Sequence, residues 1–271
     1  MKAHVHIQAA ERNGITCLHQ SYCTPPFKVA NITEDKKAGP LHLMLMSSSP
    51  GILDEDDYQI KIHVDESCHL QLHSQSYQRL FNMKKGATQC MEVDVQKDAS
   101  FVYIPHPTVP HEQAAFTARN KIYLQHNSRL IWGEILTCGR KLNGEQFSFA
   151  KYHSITDIYH NNRLVIKENL LVQPALVNVH GIGQWEGHSH QASMIIWGNA
   201  EALSSVCDSL YNYLQQQSDI TFGISAVAQD ALVIRILGYR AEQLFNCLHA
   251  LATLLNVNRK VSVKAGATYV H

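Results

Sequence analysis

Two histidine pairs, His4-x-His6 and His188-x-His190, have the spacing that puts both imidazoles on one face of a β-strand. Either pair could chelate a soft divalent ion such as Ni²⁺ or Zn²⁺. Spacing marks no third ligand of the kind a closed catalytic site needs, so the alternative is an ordinary set of exposed or hydrogen-bonded rings. His63, His69 and His73 fall on the polar positions of alternating segments. They read as a solvated polar face, or as a surface where an ion exchanges weakly. The 17 histidines are spread over the whole chain, not gathered in a tail.

Carboxylates are the second group. Asp54-Glu55-Asp56-Asp57 is an acidic run without the spacing of a calcium loop. Glu134 and Glu168 interrupt otherwise apolar strand-like runs, 130–136 and 164–171. A carboxylate in such company is costly if buried alone. It is turned to a polar side, paired with an arginine such as Arg140 or Arg163, or set where a cation passes. The chain has no phosphate-binding G-x-x-x-x-G-K-[ST], no G-x-G-x-x-G and no G-x-S-x-G elbow.

The elements that position these groups are mostly strands. Ile60, Ile62 and Val64 alternate with polar neighbours, as do Leu70 and Leu72, and Met91, Val93 and Val95. A weak repeat joins them: residues 64–70, 95–101 and 124–130 each read strand, polar turn with serine, strand. Counted on serines, by subtraction, Ser67 to Ser100 is 33 residues and Ser100 to Ser128 is 28. Such units bury their apolar faces only by stacking, as a coil or a sandwich. After residue 190 the order becomes strand, helix, strand, strand, helix. The helices are expected over 201–217, with Asn199 as N-cap, and over 241–255. The expected fold is mostly β, a β-helix-like or stacked-sheet body (1–190) carrying a small C-terminal α/β portion with two helices (191–271). The two are read as one domain over 1–271, since no Pro/Gly/Ser linker divides them.

Composition narrows the function classes. The chain has 271 residues, 45% hydrophobic and 17% charged, with zero formal net charge. That fits a folded protein with a substantial core and gives no basic surface for nucleic acid. Seven cysteines, odd in number and scattered, suggest reduced thiols rather than disulfides or structural zinc. With no signal-peptide core and no apolar run long enough to span a membrane, a cytoplasmic location is expected.

A resemblance adds what these patterns do not reach. Residues 130–147 contain Trp132, Glu134, Gly139-Arg140, Gly144-Glu145 and Phe147 in a distinctive order. Upstream stand Pro25-Pro26-Phe27, Ser49-Pro50-Gly51-Ile52-Leu53 with Asp57, and Thr108-Val109-Pro110. Downstream come 162–170 and 232–238. In order and spacing these segments resemble the UreD (UreH) family of urease accessory proteins over nearly the whole chain. Ile52 and Asp56 replace glycines of the family pattern, and Gly133 is an extra residue suggesting a β-bulge. The resemblance implies a non-enzymatic chaperone that binds apo-urease and UreF, and UreG through UreF, to support GTP-dependent nickel insertion. It implies no tightly bound cofactor, with Ni²⁺ as cargo in transit. Asp57 and Glu168 become the carboxylates expected on or near an internal nickel route, with His188 and His190 as weaker candidates. An all-β, cupin-like metal-dependent enzyme is the alternative.

Overall fold

The computed structural model describes residues 1–35, 39–228 and 230–265, with the side chains of the last helix described to residue 255. The chain opens with β1 (Lys2–Arg12), β2 (Ile15–Cys23), β3 (Phe27–Asn31) and β4 (Leu41–Ser47). Then come β5 (Asp57–Val64), β6 (His69–Ser74), β7 (Gln78–Leu80), β8 (Ala87–Val95), β9 (Ser100–Tyr103) and β10 (Thr108–Pro110). β11 (Ala115–Leu124), β12 (Arg129–Thr137), β13 (Lys151–His160), β14 (Arg163–Val172) and β15 (His190–Trp197) follow. The chain continues with α1 (Ala200–Gln215), β16 (Ile220–Ala228), β17 (Ala231–Gly238) and α2 (Ala241–Ala265).

The described strands form two facing sheets. A seven-stranded sheet has the order β14-β13-β11-β8-β5-β1-β2. A ten-stranded sheet runs β16-β17-β15-β12-β9-β6-β4-β3, with β7 and β10 attached. The chain winds between them: β5, β8 and β11 in the first sheet turn directly into β6, β9 and β12 in the second. Successive strands pair in parallel within each sheet. The stacked body is therefore a parallel coil, flanked by antiparallel strands. This is not the antiparallel barrel of the cupin-like alternative.

The repeat found in the sequence is the corner of this coil. Ser67, Asp98 and Asn127 occupy one equivalent position, each with a positive φ of 59°, 58° and 56°. By subtraction they are 31 and 29 residues apart, so the serines counted at 33 and 28 are not the equivalent positions. Short polar side chains tolerate this left-handed conformation best after glycine. The corner is closed by amide-to-carbonyl bonds from Cys68 to Asp65 (3.1 Å), Ala99 to Gln96 (3.2 Å) and Ser128 to Gln125 (3.1 Å). Corners also bond to each other, Ser67 N–H to Lys97 O at 3.0 Å and Asp98 N–H to His126 O at 3.2 Å.

Alternation places one apolar set between the sheets, including Ile62, Val93, Ile122 and Ile158 at matching registers. The other face of β12, β15 and β17 packs on α1 and α2 through Ile135, Met194, Ile234, Leu210 and Leu248. The C-terminal portion thus extends the ten-stranded sheet. The Asn199 side chain accepts from Ala202 N–H at 3.1 Å, the expected cap. α2 is described to Ala265, ten residues past the expected end at 255. The expected turn at 229–230 includes Gln229, which lies outside the described residues.

Gly133 corrects an expectation. Pairing of β12 with β15 is continuous from Leu130 to Thr137, without a bulge. A Cβ at Gly133 would meet Leu248 Cδ1 at 3.2 Å and Ile104 Cγ1 at 3.3 Å. Glycine here lets α2 approach the strand.

Candidate functional site: a polar seam between the sheets

The apolar phase of the strands gives way to polar residues at one level of the coil. In the first sheet the row Ile60, Met91, Asn120, Thr156, Glu168 crosses β5, β8, β11, β13 and β14. It changes from apolar to polar at Asn120. In the second sheet, Glu134 on β12 is in register with Ser193 on β15, and Ser193 with Arg235 on β17. Side-chain bonds tie the two rows together. Glu134 accepts from Asn120 Nδ2 (3.2 Å), Trp132 Nε1 (3.2 Å), Ser154 Oγ (2.9 Å) and Thr156 Oγ1 (3.2 Å). Arg235 donates to both oxygens of Glu168 at 2.7 and 2.9 Å. The seam therefore runs from an enclosed carboxylate to an ion pair whose arginine is 58% exposed.

Among these partners of Glu134 no cation appears. Burial pushes its carboxyl above the ordinary range, the bonds from Ser154, Trp132 and Thr156 pull it back, and the charge of Glu168 pushes it up again. Tyr103 and Tyr152 nearby have hydroxyls pushed up by burial and by Glu134. Glu134 lines a cavity of about 40 Å³ together with Gln78, Gln89, Tyr103 and Asn120. That space holds only a few water molecules. Gln78, Gln89, Tyr103 and Pro105 also line a second cavity of about 120 Å³ bordered by Ser49, Ser76 and His106. Gln78 Nε2 donates to Gln89 Oε1 at 3.1 Å where the two cavities share walls. The arrangement can exchange a proton or a partly dehydrated cation at Glu134, with neutral oxygens on either side.

The structure brings Glu168 to the seam and pairs it with Arg235, not with Arg163. Arg140 instead pairs with Glu145 across the Lys141–Asn143 turn. Asp57 accepts from Gln59 Nε2 (2.7 Å) and Thr88 Oγ1 (3.3 Å) on the outer face of the first sheet, and lines neither cavity. Its neighbour Asp56 is the buried member of the acidic run, 3% exposed and bonded to Tyr58 Oη, Leu53 N–H and the Met1 amine. His188 and His190 engage separate partners. The His188 ring meets Trp185 O at 3.0 Å and stacks on Tyr239, while His190 Nδ1 meets Ser189 Oγ at 2.8 Å. His188 precedes β15, so strand alternation does not align the two rings. His4 is exposed and His6 partly so, on the outer face of β1.

The residues that sequence reasoning missed are Asn120, Ser154, Thr156, Gln89 and Gln78. A signal existed for four of them. Asn120 sits in the inward phase of Phe116, Ala118, Ile122 and Leu124, and Gln89 in that of Ala87 and Met91. Ser154 and Thr156 fall in phase with Tyr152 and Ile158. A polar residue in an apolar phase needs a buried partner.

Known proteins bear on this arrangement. The family model described as UreD urease accessory protein matches residues 1–266. A urease accessory protein UreD from Flavobacterium johnsoniae is 43% identical over 266 residues, covering 97% of this chain and 96% of its own. One from Acetivibrio thermocellus is 34% identical over 255 residues, covering 94% and 97%. Another from Haemophilus influenzae is 32% identical over 256 residues, covering 90% and 94%. No helix of the described residues is long and apolar enough to cross a membrane. Among the described residues no three His, Cys, Asp or Glu side chains gather as a metal-holding group. With a family match over nearly its full length and relatives above 30% identity covering both chains, the protein belongs to the UreD family of non-catalytic urease accessory proteins.

Proposed function

We propose that this protein is a cytoplasmic scaffold for urease maturation, binding apo-urease and a UreF-type partner that brings in the GTPase UreG, while Ni²⁺ passes through its interior as cargo. The observation that carries the interior passage is the polar seam. Glu134 is a carboxylate with four neutral donors and no cationic partner, set where two cavities of mixed polar and apolar lining adjoin the row leading to Glu168. A resident ion would need a closed set of ligands. An ion in transit needs weak, sequential oxygen and imidazole contacts that it can leave. Glu134 is the interior contact and Glu168 the contact at the sheet edge, where Arg235 must release it for an ion to bind. Asp57, on the outer face, would meet the ion outside the interior.

The test is genetic. Urease activity is measured in cells carrying urease and its other accessory genes, with this gene deleted and then restored. Activity should be lost and regained at unchanged urease protein level. Activity unaffected by the deletion would sink the maturation reading.

A further inference from the structure

Four histidines gather on the outer face of the ten-stranded sheet, beside α2. His42 on β4 and His73 on β6 point away from the core, and His42 Nδ1 lies 3.1 Å from His73 Nε2, with the rings stacked at 5.4 Å. His106 follows β9 and stacks on Phe245 of α2 at 4.5 Å. His249, one helical turn beyond Phe245, contacts that ring at 4.4 Å. Its Nε2 is buried and has no hydrogen-bond partner among the described residues.

Two features make this cluster a candidate ligand set. The 3.1 Å separation is that of a ring-to-ring hydrogen bond, and it also brings the two nitrogens as close as neighbours on one ion, since ligands at about 2.1 Å and a right angle lie about 3.0 Å apart. A buried ring nitrogen left without a partner calls for an occupant. His106 plays a different part. Its Nδ1 lies 2.8 Å from Ser74 Oγ, which also accepts from the His106 backbone N–H, so this ring is already held by a structural hydrogen bond. That leaves His42, His73 and His249. Burial lowers the proton affinity of all three, so they stand neutral and ready to ligate at neutral pH. Glu34 adds a negative charge near His42.

We propose that His42 and His73, completed by His249 from α2, form a binding site for a late first-row divalent cation such as Ni²⁺, Zn²⁺ or Cu²⁺ on the outer face of the ten-stranded sheet. Imidazole ligands select these ions over Mg²⁺ and Ca²⁺. The three rings do not converge as a ready cage, so binding requires a side-chain rotation that swings His249 toward the pair. The site is correspondingly weak and exchangeable. It is independent of the seam, because it lies on the opposite face of the sheet and shares no residue with Glu134 and its partners.

The test uses the full chain, purified without a histidine tag, titrated with Ni²⁺ against a chromophoric chelator and with Co²⁺ for its visible absorption. One equivalent should bind. His42→Gln and His73→Gln should each weaken binding at least about tenfold, His249→Gln should weaken it less, and His19→Gln, at an exposed histidine of β2, should leave it unchanged. Circular dichroism checks the fold of each variant. Should a variant fail to fold, the wild type still decides the matter. Ni²⁺ should shield His42 and His73, but not exposed His4, from diethyl pyrocarbonate, as read by peptide mass spectrometry. Unaltered binding in the folded His42 and His73 variants, absence of binding, or no shielding of these two rings would overturn the proposal.

Discussion

At the residue scale, Glu134 combines a raised proton affinity with hydrogen bonds that favour the charged form. A carboxyl whose folded pKa lies above its unfolded value of 4.5 costs stability as pH rises through the folded value. Glu134→Gln removes that cost, so its stability relative to wild type should improve as pH rises above 4.5 in urea denaturation. Glu134→Ala instead strands the donors of Asn120 and Trp132 and should lower stability by about 2 kcal/mol. His190 behaves oppositely. It is 6% exposed, and burial with Lys141 nearby pushes it down to about 4. Its contribution is full above 6.5 and is lost as pH falls from 6.5 through about 4. His190→Asn should therefore flatten the acid-side decline of the thermal midpoint over that window. An unchanged slope in the variant would show that His190 is not buried neutral. The site was only half legible in the sequence. The misfit of Glu134 and Glu168 in apolar runs could be read there, but their partners could not. Arg235 reaches Glu168 across 67 residues of chain, and only the register of two sheets brings them together.

At the scale of elements, local rules carried far. Alternation gave the strands, the Asn199 cap gave the start of α1, and the corner repeat gave stacked units without deciding between a coil and a sandwich. What the sequence left open was which strands pair and in which direction, since parallel pairing depends on contacts one full coil apart. Gly133 shows the limit in a single residue. Read locally it suggests a bulge, whereas the helix lying against it needs the missing side chain. Gly133→Val should force Leu248 and Ile104 apart and destabilise by about 2 kcal/mol. Tolerance of valine there would mean that α2 does not rest on β12. Asn199→Ala should cost about 1 kcal/mol through loss of the cap, seen as a lower urea midpoint with unchanged slope.

For the whole molecule, the parallel coil explains how a protein without a catalytic constellation could move an ion. Each turn of the coil adds one residue to every inward row, so a row can change from apolar to polar part-way across the sheet. That change makes the seam, while the apolar rows above it, such as Ile62, Val93, Ile122 and Ile158, keep the sheets together. In the proposed function the scaffold and the passage are one object, so a substitution that closes the passage should leave the scaffold standing. The most direct test is the nickel content and activity of urease matured in cells with the Glu134→Leu protein in place of the wild type, alongside its recovery in complex with urease. Recovery of the complex at the wild-type level, with urease nickel and activity at least about tenfold lower, is the predicted result. Full nickel loading with the Glu134→Leu protein would contradict transit through the seam.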